Sequence, residues 1–229
     1  MKQYIIIFLI LILILCSLYE NIENFNNNLG INYDFIEIGT SNFDTEIQKA
    51  NDNIIGLSIE PLKIYLDDLP NKKNVKKINK AISNKRDKLY IYYIEPDIIE
   101  KYKLPLGLKG CNSLNEPHPL QIEGLKKINR MDLLKKSYVD VITFEDLVKD
   151  NNINKIKYLK VDTEGHDPII IDSMIEYCDK HTPTYPDKIQ FETNIRSKKV
   201  DQDKVISKLE NRNYKIISQG DDTILIKNI

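Results

Sequence analysis

Three carboxylates and a histidine lie within six positions of one another: Asp162, Glu164, His166 and Asp167. They follow a largely apolar run that ends at Val161, and such a run is typical of a strand buried inside a parallel sheet. Ligands of open α/β sheets bind just beyond the carboxyl ends of the strands. Acidic groups at that position can accept protons or bind hydroxyl groups. The residues therefore predict a catalytic or binding site at the end of this strand.

A second interpretation assigns the same segment to helix capping. Asp162 and Thr163 would then cap the helix that follows, and Gly165 would relieve the turn between strand and helix. The segment alone supports both interpretations, since a short motif without structural context is not specific.

The first third of the chain has the pattern of a nucleotide-binding βαβ unit. A strand predicted over residues 34–39 ends at Gly39, and a helix is predicted to begin near Thr45. The next predicted strand ends in Glu60 and Pro61, 21 residues beyond Gly39. In such units an acidic residue about 20 positions after the glycine turn accepts hydrogen bonds from the ribose hydroxyls. Glu60 is the predicted ribose ligand, although a Glu-Pro pair can also be an ordinary strand end.

These segments, in this order, resemble the motifs of FkbM-type methyltransferases. The matching segments are residues 35–43, 58–61 and 159–166, with weaker matches at 78–83 and 139–147. The Lys-Val-Asp-Thr-Glu-Gly sequence at 160–165 is the most specific of them. One departure from the family pattern is Phe43, which stands where the glycine loop usually has a second glycine.

The resemblance implies a class I, S-adenosyl-L-methionine-dependent enzyme, and many members of this family methylate hydroxyl groups of sugars or polyketides. The fold it implies is α/β, with a Rossmann-like class I methyltransferase sheet. The alternation of predicted strands and helices favours the same plan, a mostly parallel sheet with an antiparallel C-terminal hairpin. The apolar N-terminal residues predict a hydrophobic helix before this sheet. The implied partners are the cofactor and a small-molecule or glycan acceptor.

The same resemblance assigns roles to individual residues. Those expected to hold the cofactor are Glu37, Gly39, Thr40, Ser41, Glu60, Ala81, Ile82 and Glu192. Backbone amides around Gly39 would face the carboxylate of the methionine part, and Glu37 would receive its amino group. Ala81 and Ile82 would lie at the adenine ring, but plain core positions are an equally good interpretation.

The expected chemistry needs a proton acceptor more than a nucleophile. A sulfonium methyl group is already activated, so alignment with the acceptor oxygen supplies most of the rate. A sugar hydroxyl is weakly acidic, so a carboxylate or imidazole should take its proton. Asp162 and Glu164 are the candidates, with His166 behind them. Glu192 would point into the same crevice, or would cap the turn at Thr193.

Composition excludes some partners. The formal net charge of -1 gives no electrostatic reason to expect binding to nucleic acid. The three cysteines and three histidines have no spacing typical of metal ligands, so no metal site is predicted.

The amino terminus predicts a membrane anchor. Residues 4–18 are apolar and follow Lys2, but the run is shorter than the roughly 20 residues of a typical spanning helix. No small-residue cleavage site follows it. An uncleaved signal anchor over residues 1–20 is the preferred interpretation, with a linker over 21–32 and a methyltransferase-like domain over 33–229. Secretion after signal cleavage is the alternative.

Two other functions fit parts of the pattern. A nicotinamide-dependent Rossmann oxidoreductase could also use Glu60, although the turn lacks the second and third glycines that a dinucleotide requires. A membrane-tethered binding module with a decayed methyltransferase site would account for Phe43.

The remaining periodicity predicts further elements. Residues 75–83 read as a third strand, and 88–94 as a hairpin partner at the edge of the same sheet. Residues 95–137 have no strong periodicity and contain four prolines, which is typical of a lid or substrate loop. Helices are predicted over 143–150, 167–178 and 201–211, and strands over 157–162, 188–192, 214–218 and 223–227.

Overall fold

A computed structural model describes residues 30–42, 44–114, 116–181 and 185–228. Residues 32–229 form one compact unit with a mixed α/β fold, as predicted. The strands are β1 (Ile31–Tyr33), β2 (Phe35–Ile38), β3 (Gly56–Ile59), β4 (Val75–Ile78), β5 (Ala81–Ser83), β6 (Asp87–Tyr93), β7 (Ser113–Leu114), β8 (Lys135–Thr143), β9 (Ile153–Ile156), β10 (Tyr158–Val161), β11 (Lys188–Glu192), β12 (Tyr214–Gln219) and β13 (Asp222–Lys227). The α-helices are α1 (Glu46–Lys49), α2 (Lys63–Asp68), α3 (Pro96–Lys101), α4 (Pro119–Lys127), α5 (Phe144–Asp150), α6 (Asp167–Cys178) and α7 (Lys199–Glu210).

A seven-stranded sheet with the order β12-β13-β11-β10-β2-β3-β4 organises the fold. From β4 to β11 all neighbouring strands are parallel, whereas β13 runs antiparallel to both β11 and β12. The antiparallel C-terminal hairpin is therefore confirmed. Strand order reverses between β2 and β10, so the chain leaves these two neighbours toward opposite edges of the sheet. A crevice at the carboxyl ends of such strands is the usual ligand site of an open α/β sheet.

The central strands are buried on both faces. Every residue of β2 and of β3 is buried, which explains why neither sequence alternates between apolar and polar residues. Buried residues of α5, α6 and α7 pack with these strands in one hydrophobic cluster; Phe144, Ile170, Met174, Val205 and Leu209 are among them.

The prediction of one continuous third strand over residues 75–83 is wrong. Residues 75–83 form two strands: β4 pairs with β3 in the main sheet, and β5 pairs with β8 in a second sheet of order β5-β8-β6-β7. Between them, the Asn79 side chain donates hydrogen bonds to the carbonyl oxygens of Glu60 and Pro61. This contact turns the chain away from the main sheet.

Two further expectations need correction. The segment predicted as an edge hairpin is β6, which lies in the second sheet and pairs antiparallel with β8 and β7. The supposedly irregular insertion contains α3, α4 and two short 3-10 helices, and it has its own apolar cluster around Ile99, Leu108 and Leu125. Both α-helices begin with proline, a residue that suits the first helical position.

The predicted N-terminal hydrophobic helix and signal anchor fall on residues 1–20, which lie outside the described residues. Within the described part of the chain, every helix is too short or too polar to cross a membrane.

Candidate active site

A cleft of about 250 Å³ opens at the carboxyl ends of β2, β3 and β10. It brings together ten of the eleven residues predicted for the site, namely Glu37, Gly39, Thr40, Ser41, Glu60, Ala81, Ile82, Asp162, Glu164 and Glu192. His166 is the one predicted site residue that does not line this cleft. Ala81 and Ile82 reach the cleft from the second sheet, not from the end of a third parallel strand as expected.

The turn after β2 is closely packed against the segment after β10. Gly39 has a φ of 81°, and a Cβ built at this position would lie 1.9 Å from the carbonyl oxygen of Asp162. A side chain is therefore excluded by both backbone conformation and contact. Phe43, the departure from the family pattern in this turn, lies outside the described residues.

Glu60 directly follows β3 and is buried. Its carboxylate accepts hydrogen bonds from two backbone amides. One carboxylate oxygen accepts from the Ser41 amide and the other from the Leu62 amide, each at 2.9 Å. Burial raises the pKa of Glu60 to about 7. Each carboxylate oxygen has a second lone pair, so Glu60 can still accept from hydroxyl groups in the cleft.

Glu37 makes structural contacts that the sequence did not predict. Its carboxylate accepts from the amides of Glu46 and Ile47 at the start of α1, and from the hydroxyl of Ser58 on β3. Burial raises the pKa of Glu37. Three donors occupy its roughly four acceptor positions, so Glu37 has capacity for about one further hydrogen bond to a ligand.

Three carboxylates, from Asp162, Glu164 and Glu192, lie close together in the lining of the cleft and form its carboxylate wall. An oxygen of each lies within 4.8 Å of an oxygen of the other two. Desolvation, together with the charge of Asp167, raises the pKa of Asp162 to about 7. Desolvation, with the charges of Glu164 and Asp167, raises the pKa of Glu192 to about 9. Near neutral pH, Glu192 therefore holds a proton, and Asp162 takes up a proton more readily than an isolated aspartate does.

The alternative interpretations of these carboxylates can now be compared with their contacts. Helix α6 begins at Asp167, and its N-cap, His166, makes no side-chain capping bond; the interpretation of Asp162 as the cap is therefore wrong. Glu192 has one oxygen bonded to the Asn194 side-chain amide, whereas the other is buried without a hydrogen-bond partner. The contact with the turn therefore uses one carboxylate oxygen of Glu192 and leaves the other oxygen without a hydrogen-bond partner.

Asp167, to which the sequence assigned no catalytic or cofactor-binding role, holds the carboxylate wall together. It is fully buried and accepts from the amide and hydroxyl of Thr163 and from the amide of Glu192. The segments after β10 and β11 are therefore fixed to each other. An aspartate followed by proline at the start of a predicted helix was the signal that could have identified it.

His166 lies to the side of the cleft. Its Nε2 is 2.9 Å from the hydroxyl oxygen of Ser83, and desolvation lowers its pKa to about 4. It lines a second cavity of about 390 Å³ that shares Leu114, Thr163 and Glu164 with the first.

The insertion over residues 95–137 forms part of both cavities. Gly107, Gly110, Asn112 and Leu114 line the first, and the Ser41 hydroxyl donates to the carbonyl oxygen of Lys109 at 2.7 Å. The individual lining residues could not be identified from sequence, because they contribute through backbone position more than through side-chain type.

Two groups of side chains have the proximity that a metal ion needs, although the sequence predicted none. One is the carboxylate trio, whose hard oxygen ligands would suit Mg²⁺ or Ca²⁺. The other is Cys111, His118 and Glu164. In that second group the Nδ1 of His118 accepts the Leu120 amide hydrogen, so a neutral ring carries its proton on Nε2. That nitrogen cannot then serve as a ligand, and burial raises the pKa of the Cys111 thiol to about 12.

Comparison with known protein families gives a match to the methyltransferase FkbM domain over residues 21–216. Searches of curated proteins and of solved structures gave no match. The family match favours neither the oxidoreductase nor the decayed binding module. Because the match covers most of the chain, including every predicted site residue, the chain belongs to the FkbM methyltransferase domain family.

Proposed function

We propose that this protein is an S-adenosylmethionine-dependent O-methyltransferase with a Rossmann-like class I fold, acting on a hydroxyl group of a carbohydrate or related small acceptor. One observation carries the proposal: the buried carboxylate of Glu60 and a trio of carboxylates line the same cleft, beside the point where strand order reverses.

Family membership and the residues at the ends of β2, β3 and β10 support the assignment of the cofactor. Glu60 lies at the end of β3, where an acidic residue of a nucleotide-binding βαβ unit binds ribose. The turn at Gly39 brings backbone next to the cleft without a side chain, and Lys160 adds a positive charge to the cleft lining. These groups suit a ligand that has vicinal hydroxyls at one end and an amino acid at the other.

The carboxylate wall supports the assignment of the acceptor chemistry. S-adenosylmethionine would supply an activated methyl group, so the protein must align the acceptor and receive one proton. A general base is most effective when its pKa is near the working pH, and the pKa of Asp162 is about 7. Asp162 is therefore the proposed proton acceptor, with Glu164 beside it. Glu192, protonated near neutral pH, is better suited to donate a hydrogen bond.

His166 is a weaker candidate for the base. Its lowered pKa keeps it neutral at pH 7, but its Nε2 is already within hydrogen-bond distance of Ser83. We assign it to the second cavity, where it could contact the acceptor.

The cofactor and the reaction can be tested separately. Calorimetry with S-adenosylhomocysteine and with NAD should show binding of the first and none of the second; the reverse would favour the oxidoreductase. Labelled methyl transfer into a glycan and small-molecule extract, followed by mass analysis, should yield a product with one added methyl group on oxygen.

We also propose that the protein is attached to a membrane by residues 4–18 as a single-pass signal anchor. The unbroken apolar sequence after Lys2 supports this, since it leaves no polar face for a helix on the surface of a globular domain.

A further inference from the structure

His118, from the insertion, is buried against the carboxylate wall. Only 2% of the residue is exposed, and its Nε2 lies 3.0 Å from the Oε2 of Glu164. That nitrogen has no well-aligned hydrogen-bond partner among the described residues. A buried polar group without a partner is costly, so its position beside Glu164 requires an explanation.

The hydrogen bond at the other ring nitrogen determines the tautomer of the neutral His118 ring. Nδ1 accepts the amide hydrogen of Leu120 at 3.1 Å and so caps helix α4. An accepting Nδ1 carries no proton, so in the neutral ring the proton must be on Nε2. The N–H group of His118 therefore lies beside the Glu164 carboxylate.

Glu164 has an unusual backbone conformation and lies at the boundary between the two cavities. Its φ is 55°, in the left-handed region that is unfavourable for residues other than glycine. Its side chain lines both the first and the second cavity. The Nε of Arg196 lies 3.8 Å from the same Oε2 atom, so two donors from different segments surround one carboxylate oxygen.

We propose that His118 is a positioning residue that holds the Glu164 carboxylate at the boundary between the two cavities, and that the insertion must be folded onto the site for Glu164 to act. This inference rests on the proposed function, since it gives Glu164 a role in methyl transfer. His118 acts through Glu164, because its Nε2 is covered and cannot touch an acceptor directly.

Two substitutions separate positioning from helix capping. His118→Asn keeps a short side-chain oxygen that can accept from Leu120, but it removes the donor beside Glu164. His118→Gln keeps a donor near the position of Nε2 but removes the short capping acceptor. In the full-length protein, with labelled methyl transfer into the extract as the assay, we expect His118→Asn to lower the rate of label incorporation by about a hundredfold, as for a misplaced catalytic group. His118→Gln should stay close to the parent rate, and both should bind S-adenosylhomocysteine like the parent.

The opposite ranking, with His118→Gln impaired and His118→Asn active, would show that capping alone matters and would overturn the proposal. Equal activity of both variants and the parent would overturn it as well.

Nitrogen NMR of ¹⁵N-histidine-labelled protein gives a readout without acceptor or cofactor. With three histidines in the chain, the His118 signals can be assigned by substitution. We expect an unprotonated Nδ1 and a protonated Nε2, and we expect Glu164→Gln to shift the Nε2–H signal but not the signals of His181 on the surface. A protonated Nδ1, or no response to Glu164→Gln, would contradict the proposed contact. Failure of the parent to bind S-adenosylhomocysteine would instead reject the proposed function, and the NMR result would remain interpretable.

Discussion

The carboxylate of Glu60 accepts the amide hydrogen of Ser41 at 2.9 Å, so the tip of β3 is bonded directly to the turn that follows β2. The residue proposed to bind ribose thus also shapes the turn proposed to bind the methionine part. Both ends of the cofactor site depend on one buried side chain, and substitutions of Glu60 should affect both.

Replacing Glu60 should weaken cofactor binding. Two hydroxyl contacts to one carboxylate are worth on the order of 2–4 kcal/mol, so Glu60→Ala should weaken S-adenosylhomocysteine binding at least tenfold, measured by calorimetry. The substitution also leaves the amides of Ser41 and Leu62 without their acceptor, at a cost of about 1–3 kcal/mol each. Folding must therefore be checked by thermal denaturation.

Glu60→Gln is the matched control, because it keeps one acceptor oxygen and nearly the same volume. Its affinity should fall between those of the parent and Glu60→Ala. A folded Glu60→Ala protein with unchanged affinity would remove Glu60 from the site.

The raised pKa of Glu60 predicts pH dependence. Its folded-state pKa of about 7 exceeds its ordinary value of 4.5, so its contribution to stability is complete below the ordinary value and is lost as the pH rises through 7. Asp162 and Glu192, whose pKa values are also raised, act in the same direction. We expect the melting temperature to fall as the pH rises from about 4.5 to about 7, with a smaller fall in Glu60→Gln.

Cofactor affinity should change in the opposite direction. Hydroxyl groups that donate to Glu60 favour its ionised form, so S-adenosylhomocysteine should bind more tightly as the pH rises through 7. In Glu60→Gln this gain should disappear, and a persistent gain would assign it to another group.

The carboxylate wall should affect turnover more than cofactor affinity. Asp162→Asn retains the size of the side chain but cannot take a proton, and loss of a general base costs about 10²–10⁴ in rate. We expect Asp162→Asn and Glu164→Gln to bind S-adenosylhomocysteine within several-fold of the parent and to lose most methyl transfer. Since helix α6 begins at Asp167, neither substitution should remove a helix cap. Full activity in both variants would refute the assignment.

Gly39 should tolerate no side chain. A Cβ at this position would overlap the carbonyl oxygen of Asp162, so Gly39→Ala should cost more than the roughly 1–2 kcal/mol of left-handed backbone strain alone. Gly220→Ala is the control, because nothing lies within 4 Å of the Cβ it would add. Thermal denaturation should show a large loss for the first and almost none for the second. Comparable melting temperatures would show that the two loops separate easily.

The proposed anchor can be tested by fractionation. Full-length protein should stay with membranes after an alkaline carbonate wash, with Lys2 on the cytoplasmic side. A variant lacking residues 1–28 should remain in the supernatant and stay folded, since the first described strand begins at Ile31. Release of the full-length protein by the wash would reject the anchor.

The sequence was sufficient to predict those site residues whose position depends only on the end of one strand. Glu60, Gly39 and Asp162 each follow a buried apolar run, and the carboxyl ends of neighbouring parallel strands meet at one edge. Helix α6 and strand β11 were predicted with their observed bounds.

Sequence reasoning failed where position depends on contacts between distant segments. The break between β4 and β5 is stabilised by the side chain of Asn79 across the fold, which no local pattern records. His118 had no neighbours at ligand spacing in the chain, and it meets Glu164 only because the insertion folds over the cleft. The strand ends were predictable from local sequence, but the groups that cover and position them were not.

The pairing of β2 with β10, which places Ile38 beside Val161, has a consequence for how the protein becomes active. These two neighbours are far apart in the sequence, and long-range parallel pairing forms slowly because a large loop must close first. On the ribosome, β2 cannot pair with β10 until most of the chain has been synthesised. A translation product that ends between Glu60 and Asp162 would therefore contain the Gly39 turn and Glu60 but none of the three carboxylates of the wall, and it should be unable to transfer a methyl group.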